Sequence, residues 1–154
     1  PIRIMTTHLE FYSKPQRMAQ TKALVDIHRQ ACGHIVDPSL DDESGSPFQN
    51  KTHTTQAILC GDFNFETTDA EYGVIQAQAP TGISALKDAW PLVHGAQSHD
   101  PTFRLFDRRY GPEPICCDFV FVSENLQRRV RRLSVDGTTR ASDHQPVLVE
   151  LGGG

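Results

Sequence analysis

The sequence is short of the features that would assign a function class at a glance. Nothing in its 154 residues approaches the roughly 18 consecutive apolar positions of a membrane-spanning helix. The opening PIRIMTTHLE is too short and too soon polar for a secretory signal. Its four cysteines, Cys32, Cys60, Cys116 and Cys117, show no C-x-x-C spacing, and all but Cys32 fall in apolar, strand-like runs. They read as reduced thiols serving as small apolar residues, which makes a cytoplasmic setting the default expectation. Positive charge is also scarce: a net charge of -4 argues against a surface that holds nucleic acid by general electrostatics. Arg128, Arg129, Arg131 and Arg132 form one basic cluster, which reads as a solvated loop or strand edge. There is no internal repeat. No serine or cysteine sits in a recognisable nucleophile turn, so a thiol or serine hydrolase is a weak reading.

What is present suits one domain of α/β (α+β) class. A hydrophobic content of 38% suffices for a real core. Ile2, Ile4 and His8 share the even positions of IRIMTTHLE, so a first strand is expected to end with His8 on the face that buries the isoleucines. Ser13 is placed to cap a helix with Pro15 in its first turn, running to about Cys32 and ended by Gly33. Asp37–Thr55 is a polar surface loop in which the Asp42-Glu43 pair serves solubility. A buried strand follows at Ala57–Cys60, then a helix from the T-x-x-E box of Thr68 and Glu71 to about Gln78, then a helical segment at Leu86–Trp90. The last third reads as strands at Thr102–Arg108, Ile115–Ser123, Arg131–Val135 and Pro146–Leu151. Helices early and strands late predict a layered sandwich of mixed sheets over residues 1–151, with 152–154 as a flexible tail.

Several polar residues stand where a core has no use for them. In ICCDFVFVS, Asp118 has apolar neighbours on both faces of its strand, and a carboxylate there needs a partner. ASDHQPVLVEL offers one, His144, at the entrance to a strand, with Asp143 beside it. After the run AILC, Asp62 and Asn64 are two residues apart, so continued strand geometry points both to one side, where they can hold parts of one ligand. An Asx turn permitted by Gly61 is the alternative at that place. Arg17 and Gln20 read as a solvated helix face, and Trp90 and Phe103 as packing residues.

Taken in order, THL at 7–9, GDFN at 61–64, CDFVFVS at 117–123 and SDHQPV at 142–147 resemble the endonuclease/exonuclease/phosphatase superfamily, with its deoxyribonuclease-I-like fold. The resemblance spans essentially the whole chain but only the C-terminal half to two-thirds of that fold. It implies a four-layered sandwich and a divalent-metal-dependent phosphoesterase that hydrolyses a phosphodiester or phosphomonoester with activated water. By this likeness His144 contacts the phosphate or assists proton transfer, and Asp118 orients it. Asp62 positions or deprotonates the water and shares in metal binding. Asn64 holds a phosphoryl oxygen or orders Asp62, Asp143 binds the cation, Mg²⁺ or Mn²⁺, and His8 stabilises phosphate charge.

The family also carries an Asn and a metal-binding Glu ahead of the THL strand, and none of Glu10, Glu66 and Glu71 stands in that context. The chain, starting at Pro1 in a strand-like pattern, is therefore expected to be incomplete at its N-terminus, with an open sheet edge that invites self-association. The resemblance admits nucleic acid, lipid headgroups and small phosphoesters as substrates. The competing expectation is a non-catalytic module that keeps the fold and binds a phosphate ligand or a protein.

Overall fold

The computed structural model describes residues 1–36 and 53–153. The Asp42-Glu43 pair and nearly all of the expected 37–55 loop lie outside the described residues. In chain order the elements are β1 (Arg3–His8), α1 (Lys14–Val36), β2 (Ala57–Asp62), α2 (Ala70–Ile75), β3 (Leu86–Asp88), α3 (Trp90–His94), β4 (Asp118–Ser123), a 3₁₀ turn (Glu124–Arg129), β5 (Val130–Val135) and β6 (Val147–Leu151). Four strands form a mixed sheet in the order β1-β2-β4-β3, and β5 pairs with β6 in a second, antiparallel sheet. β1 runs parallel to β2, while β4 is antiparallel to both β2 and β3.

Alternation along the strands builds two cores. Leu59, Phe119 and Phe121 face the helices, where they pack with Phe63, Phe65, Val25 of α1 and Ile75 of α2. Ile58, Val120 and Val122 point the other way, toward Trp90, Leu126 and Leu133, with Val147 and Val149 of β6 alongside. The result is a layer of helices, the four-stranded sheet, and the β5–β6 pair beyond it. Among the described residues no helix is long and apolar enough to cross a membrane.

The face of β1 that carries Ile4 and His8 is not buried as its pattern suggested. β1 is an edge strand, and the second core lies over β2 and β4. Ile2 reaches that core, but Ile4 stays 69% exposed. Ser13 does accept a hydrogen bond from the Gln16 amide, at 3.4 Å. α1 does not stop at Gly33, however, and continues to Val36. Its buried stripe is Arg17, Thr21, Val25, His28 and Cys32, mostly polar, so apolar periodicity marks it poorly. His28 is lodged between Arg3 Nη2 at 2.6 Å and the Ser84 carbonyl at 2.7 Å, and burial lowers its pKa. The neutral ring therefore donates to Ser84 and accepts from Arg3.

Other local signals yielded to tertiary pairing. α2 starts at Ala70 with Asp69 as its N-cap and ends at Ile75, so the Thr68 box is not used. Glu71 is buried and turned toward α1. Leu86–Asp88 is a strand rather than a helix because β4 offers it an edge, with Leu86 opposite Ser123 and Asp88 opposite Phe121. The helix comes later, at Trp90, with Pro91 in its first turn. Thr102–Arg108 is not a strand: only Phe103 forms bridges, to Ile115 and His144, and Arg104 has φ 63°. At the chain end Gly152 is pinned, its amide donating to the Arg129 carbonyl at 2.7 Å.

Gly61 answers a demand of the parallel β1–β2 pairing. Its φ is 141°, and an added Cβ would collide with the Thr7 carbonyl oxygen opposite. At Gly33, inside α1, the same atom would meet nothing within 4 Å. Gly61→Ala is therefore expected to destabilise the protein by about 3 kcal/mol or more. Gly33→Ala should stabilise it by about 0.5–1 kcal/mol. Thermal or urea unfolding of the two variants beside the parent checks both signs.

Candidate active site

Strand register assembles the first three groups. His8 is the partner of Asp62 across the parallel pair, and Asp62 is the partner of Asp118 across the antiparallel one. One lateral row of the sheet thus carries His8, Asp62 and Asp118 on one face, at the end where β1 and β2 finish and β4 begins. His144 comes from outside the sheet. Its backbone bridges to Phe103, and the neighbouring Gln145 amide donates to the Thr102 carbonyl at 2.7 Å.

Each side chain is held from more than one direction. His144 Nδ1 lies 2.9 Å from Asp118 Oδ2 and donates to it. The buried Thr102 hydroxyl donates to that same oxygen at 2.6 Å. The His144 ring also stacks on Phe103, with centroids 4.4 Å apart. Its other nitrogen, Nε2, faces Asp62 Oδ2 at 3.7 Å, and His8 Nε2 faces that oxygen at 3.5 Å. Both separations exceed good hydrogen-bond length, so neither imidazole is bonded to Asp62 directly. The remaining Asp62 oxygen, Oδ1, accepts the Asn64 amide at 2.9 Å. Burial pushes the Asp62 carboxyl above the ordinary carboxylate range, and Asp118 adds to the effect. The Asn64 amide, His144 and His8 pull against it.

The contact between Asp62 and Asn64 is an Asx turn, with Asn64 at φ 52°. Asn64 is fixed on two further sides. Its Nδ2 donates to the Leu9 carbonyl at 2.8 Å, and its own carbonyl accepts from Arg17 Nη1 at 2.5 Å. Arg17 also donates to Glu71 at 3.2 Å, and the two side chains are only 5% and 6% exposed. This buried ion pair ties α1 and α2 to the loop that carries Asn64. Arg17 is thus no solvated helix residue, as the surrounding charges had suggested, and Phe103 does more than pack.

Asp143 stands apart. It is exposed, its Oδ1 lies 3.4 Å from Ser142 Oγ, and it lines a separate cavity with Phe106, Arg109 and Arg140. Among the described residues, the potential metal-ligating atoms that do converge are those of Asp62, Cys117 and His144, all within 4.8 Å of one another. This trio does not suit Mg²⁺ or Mn²⁺. Hard ions take carboxylate, carbonyl and water oxygens, and the trio has a single carboxylate. Burial, reinforced by Asp118 and Asp62, holds the Cys117 thiol far above its usual range, so it stays protonated and is a poor ligand. Cys117, like Thr102, carried no mark in the sequence that would have singled it out.

No family model and no curated protein matches the chain. Solved structures do match. An endonuclease/exonuclease/phosphatase family protein from Bacteroides thetaiotaomicron aligns over 96% of this chain and 47% of its own, with a TM-score of 0.61 and 22% identity. A mannosyl-6-phosphatase of the same organism aligns over 97% and 51%, with a TM-score of 0.60 and 23% identity. A 3′ phosphatase from Neisseria, bound to product DNA hairpin, aligns over 99% and 62%, with a TM-score of 0.65 and 19% identity.

The chain has the endonuclease/exonuclease/phosphatase fold.

It spans about half the length of the first two of these structures. At these identities the likeness is one of fold, and the chemistry rests on this chain's own side chains. In this endonuclease/exonuclease/phosphatase fold His8, Asp62, Asn64, Asp118 and His144 meet at one end of the central sheet, with Phe103 and Thr102 supporting them.

Arg17→Met would strand the Glu71 carboxylate in the interior. The expected loss of stability is about 3–5 kcal/mol, recovered in part by adding Glu71→Leu. Chemical denaturation of the single and double variants measures it. Asp62 gives a pH signature. Its folded-state pKa lies above the 3.8 of the free side chain, so ionising it costs the folded state stability as pH rises from 3.8 through the folded value. Asp62→Asn should therefore raise the melting temperature at pH 7, with the gain vanishing below pH 3.8, where both folded and unfolded carboxyls are protonated. Melting curves across that range decide it.

Proposed function

We propose that the chain carries the water-activating and phosphate-facing groups of a phosphoesterase that hydrolyses a phosphodiester or phosphomonoester. The observation that carries this reading is the convergence on Asp62. One carboxylate oxygen is fixed by the Asn64 amide, and the other is free to face two imidazoles. A carboxylate so placed, with its pKa raised by burial, is suited to take a proton from water near neutral pH.

In the proposed step water loses a proton to Asp62 Oδ2 as its oxygen bonds to phosphorus. The ester P–O bond opposite breaks, and the departing oxygen takes a proton from solvent. His144, kept in one orientation by Asp118, turns Nε2 toward a nonbridging oxygen, and His8 turns its Nε2 toward the same place beside Asp62. Asn64 serves by ordering Asp62, because its amide nitrogen is committed to the Leu9 carbonyl. Metal dependence on Mg²⁺ or Mn²⁺ belongs to the same proposal. It requires oxygen ligands beyond Asp62, and Asp143, which stands apart from Asp62, would have to turn toward the site to be one of them. A second reading, phosphate binding without turnover, is favoured by that same single carboxylate.

The test is a panel of phosphodiesters and phosphomonoesters with Mg²⁺ or Mn²⁺, run on the parent beside Asp62→Ala and His144→Ala. Turnover by the parent should fall about 10²–10⁴-fold in each variant while circular dichroism stays unchanged. Undiminished turnover in both variants rejects the assigned roles. A parent that turns nothing over, yet whose His144 resonances move with added phosphate, establishes the binding reading.

A further inference from the structure

Aromatic side chains on the surface of this protein are not scattered. Among the described residues the exposed ones are Phe11, Tyr12, Phe106 and Tyr110, all within two short segments, 11–12 and 106–110. Phe11 and Tyr110 line a cavity of about 260 Å³ whose other walls include Asn64, Phe103 and Cys117. The cavity therefore adjoins the Asp62 and His144 cluster. Phe103 makes the connection: it stacks on His144 at 4.4 Å, and Tyr110 stacks on Phe103 in turn at 6.2 Å, with planes 23° apart. Two rings thus lead outward from the imidazole.

Cations are interleaved with these rings. Arg104 lies over Phe103 at 5.4 Å, Arg109 over Tyr110 at 5.8 Å and Arg140 over Phe106 at 4.4 Å. These are all the cation–π pairs among the described residues. Arg109 is also paired with Asp107, whereas neither Arg104 nor Arg140 has a carboxylate partner among the described residues. The pattern is already dense in the sequence FRLFDRRY at 103–110.

A ligand that satisfies alternating cations and rings must itself alternate anions and flat faces. Single-stranded nucleic acid does so, with one phosphate and one base per step. A sugar phosphate offers a single anion and no π-face. A lipid headgroup has no base for the rings to receive. We propose that Phe11, Tyr12 and residues 103–110 form a platform for single-stranded nucleic acid, with one base seated in the cavity between Phe11 and Tyr110. The position of the scissile phosphate, at Asp62 and His144, rests on the phosphoesterase reading above. The platform's stacking surface does not. The chain's net charge of -4 is no obstacle, since stacking and a few local cations, rather than a broad basic surface, supply the recognition.

The experiment compares a short fluorescent oligothymidylate with an abasic strand of the same length and charge, by anisotropy, on the full chain. Parent, Phe11→Ala, Tyr110→Ala and Tyr110→Phe are used. The first two positions are 55% and 60% exposed, so the fold does not depend on them. The base-bearing strand should bind about 5- to 100-fold more tightly than the abasic one. Tyr110→Ala should remove most of that ratio without weakening the abasic strand, and Tyr110→Phe should keep it. Equal binding of the two strands, or a ratio untouched by both alanine variants, overturns the platform. In parallel, inorganic phosphate is titrated while the His144 imidazole is followed by NMR. A base-dependent ratio with a silent His144 upholds the platform and overturns only the placement of a phosphate at His144. A phosphate response without that ratio overturns the platform and leaves that placement standing.

Discussion

Lateral register in the four-stranded sheet sets His8, Asp62 and Asp118 side by side, and every other part of the site is arranged around that row. Register is a strong constraint because side chains alternate with a period of two. With one face of the sheet against the helices and the other partly under β5 and β6, a slip would exchange apolar and polar faces wholesale. The buried residues of β2 and β4 therefore do more than fill space. By fixing which residues lie opposite one another, Ile58, Leu59, Phe119 and Phe121 decide that two carboxylates and an imidazole share a face.

Two devices complete what the row begins. The first delivers His144, whose strand entrance is hooked to Thr102 and Phe103 and whose ring is caught between Asp118 and the Phe103 face. Asp118 in turn is held by the buried Thr102 hydroxyl, so a single residue without charge or sequence distinction steadies the dyad. The second device is the Arg17–Glu71 pair, which couples both helices to the Asn64 carbonyl and hence to the orientation of Asp62. Helix layer and sheet layer thus meet at the site through hydrogen bonds, not only through the apolar core.

What the sequence made legible were groups whose placement offends local physics. Asp118 among apolar neighbours demands a partner, and Asp62 with Asn64 after a buried run demands a use. Strand identity in β2, β4, β5 and β6 was likewise readable from alternation and β-branched content. The misses share a cause. Leu86–Asp88 became a strand because β4 supplied an edge, and Glu71 left its capping box because Arg17 supplied a buried partner. Both outcomes depend on residues dozens of positions away, which local propensity does not see. Thr102, Cys117 and Arg17 were silent for the same reason. A threonine, a cysteine and a helix arginine are ordinary until the fold shows what they touch. Asp143, adjacent to His144 in the chain, shows the converse: His144 is bonded to Asp118 while its neighbour lines a cavity with Phe106 and Arg140.

The parallel pairing of β1 with β2 carries an evolutionary corollary. Because Thr7 and Gly61 sit too close for a side chain, and the next register step places His8 beside Asp62, β2 has no slack between its apolar portion and its carboxylate. Gaining or losing a single codon within Ala57–Asp62 would turn the carboxylate toward the helices. Among relatives that retain the chemistry, length variation should therefore concentrate in the connections and stop abruptly at the borders of this strand.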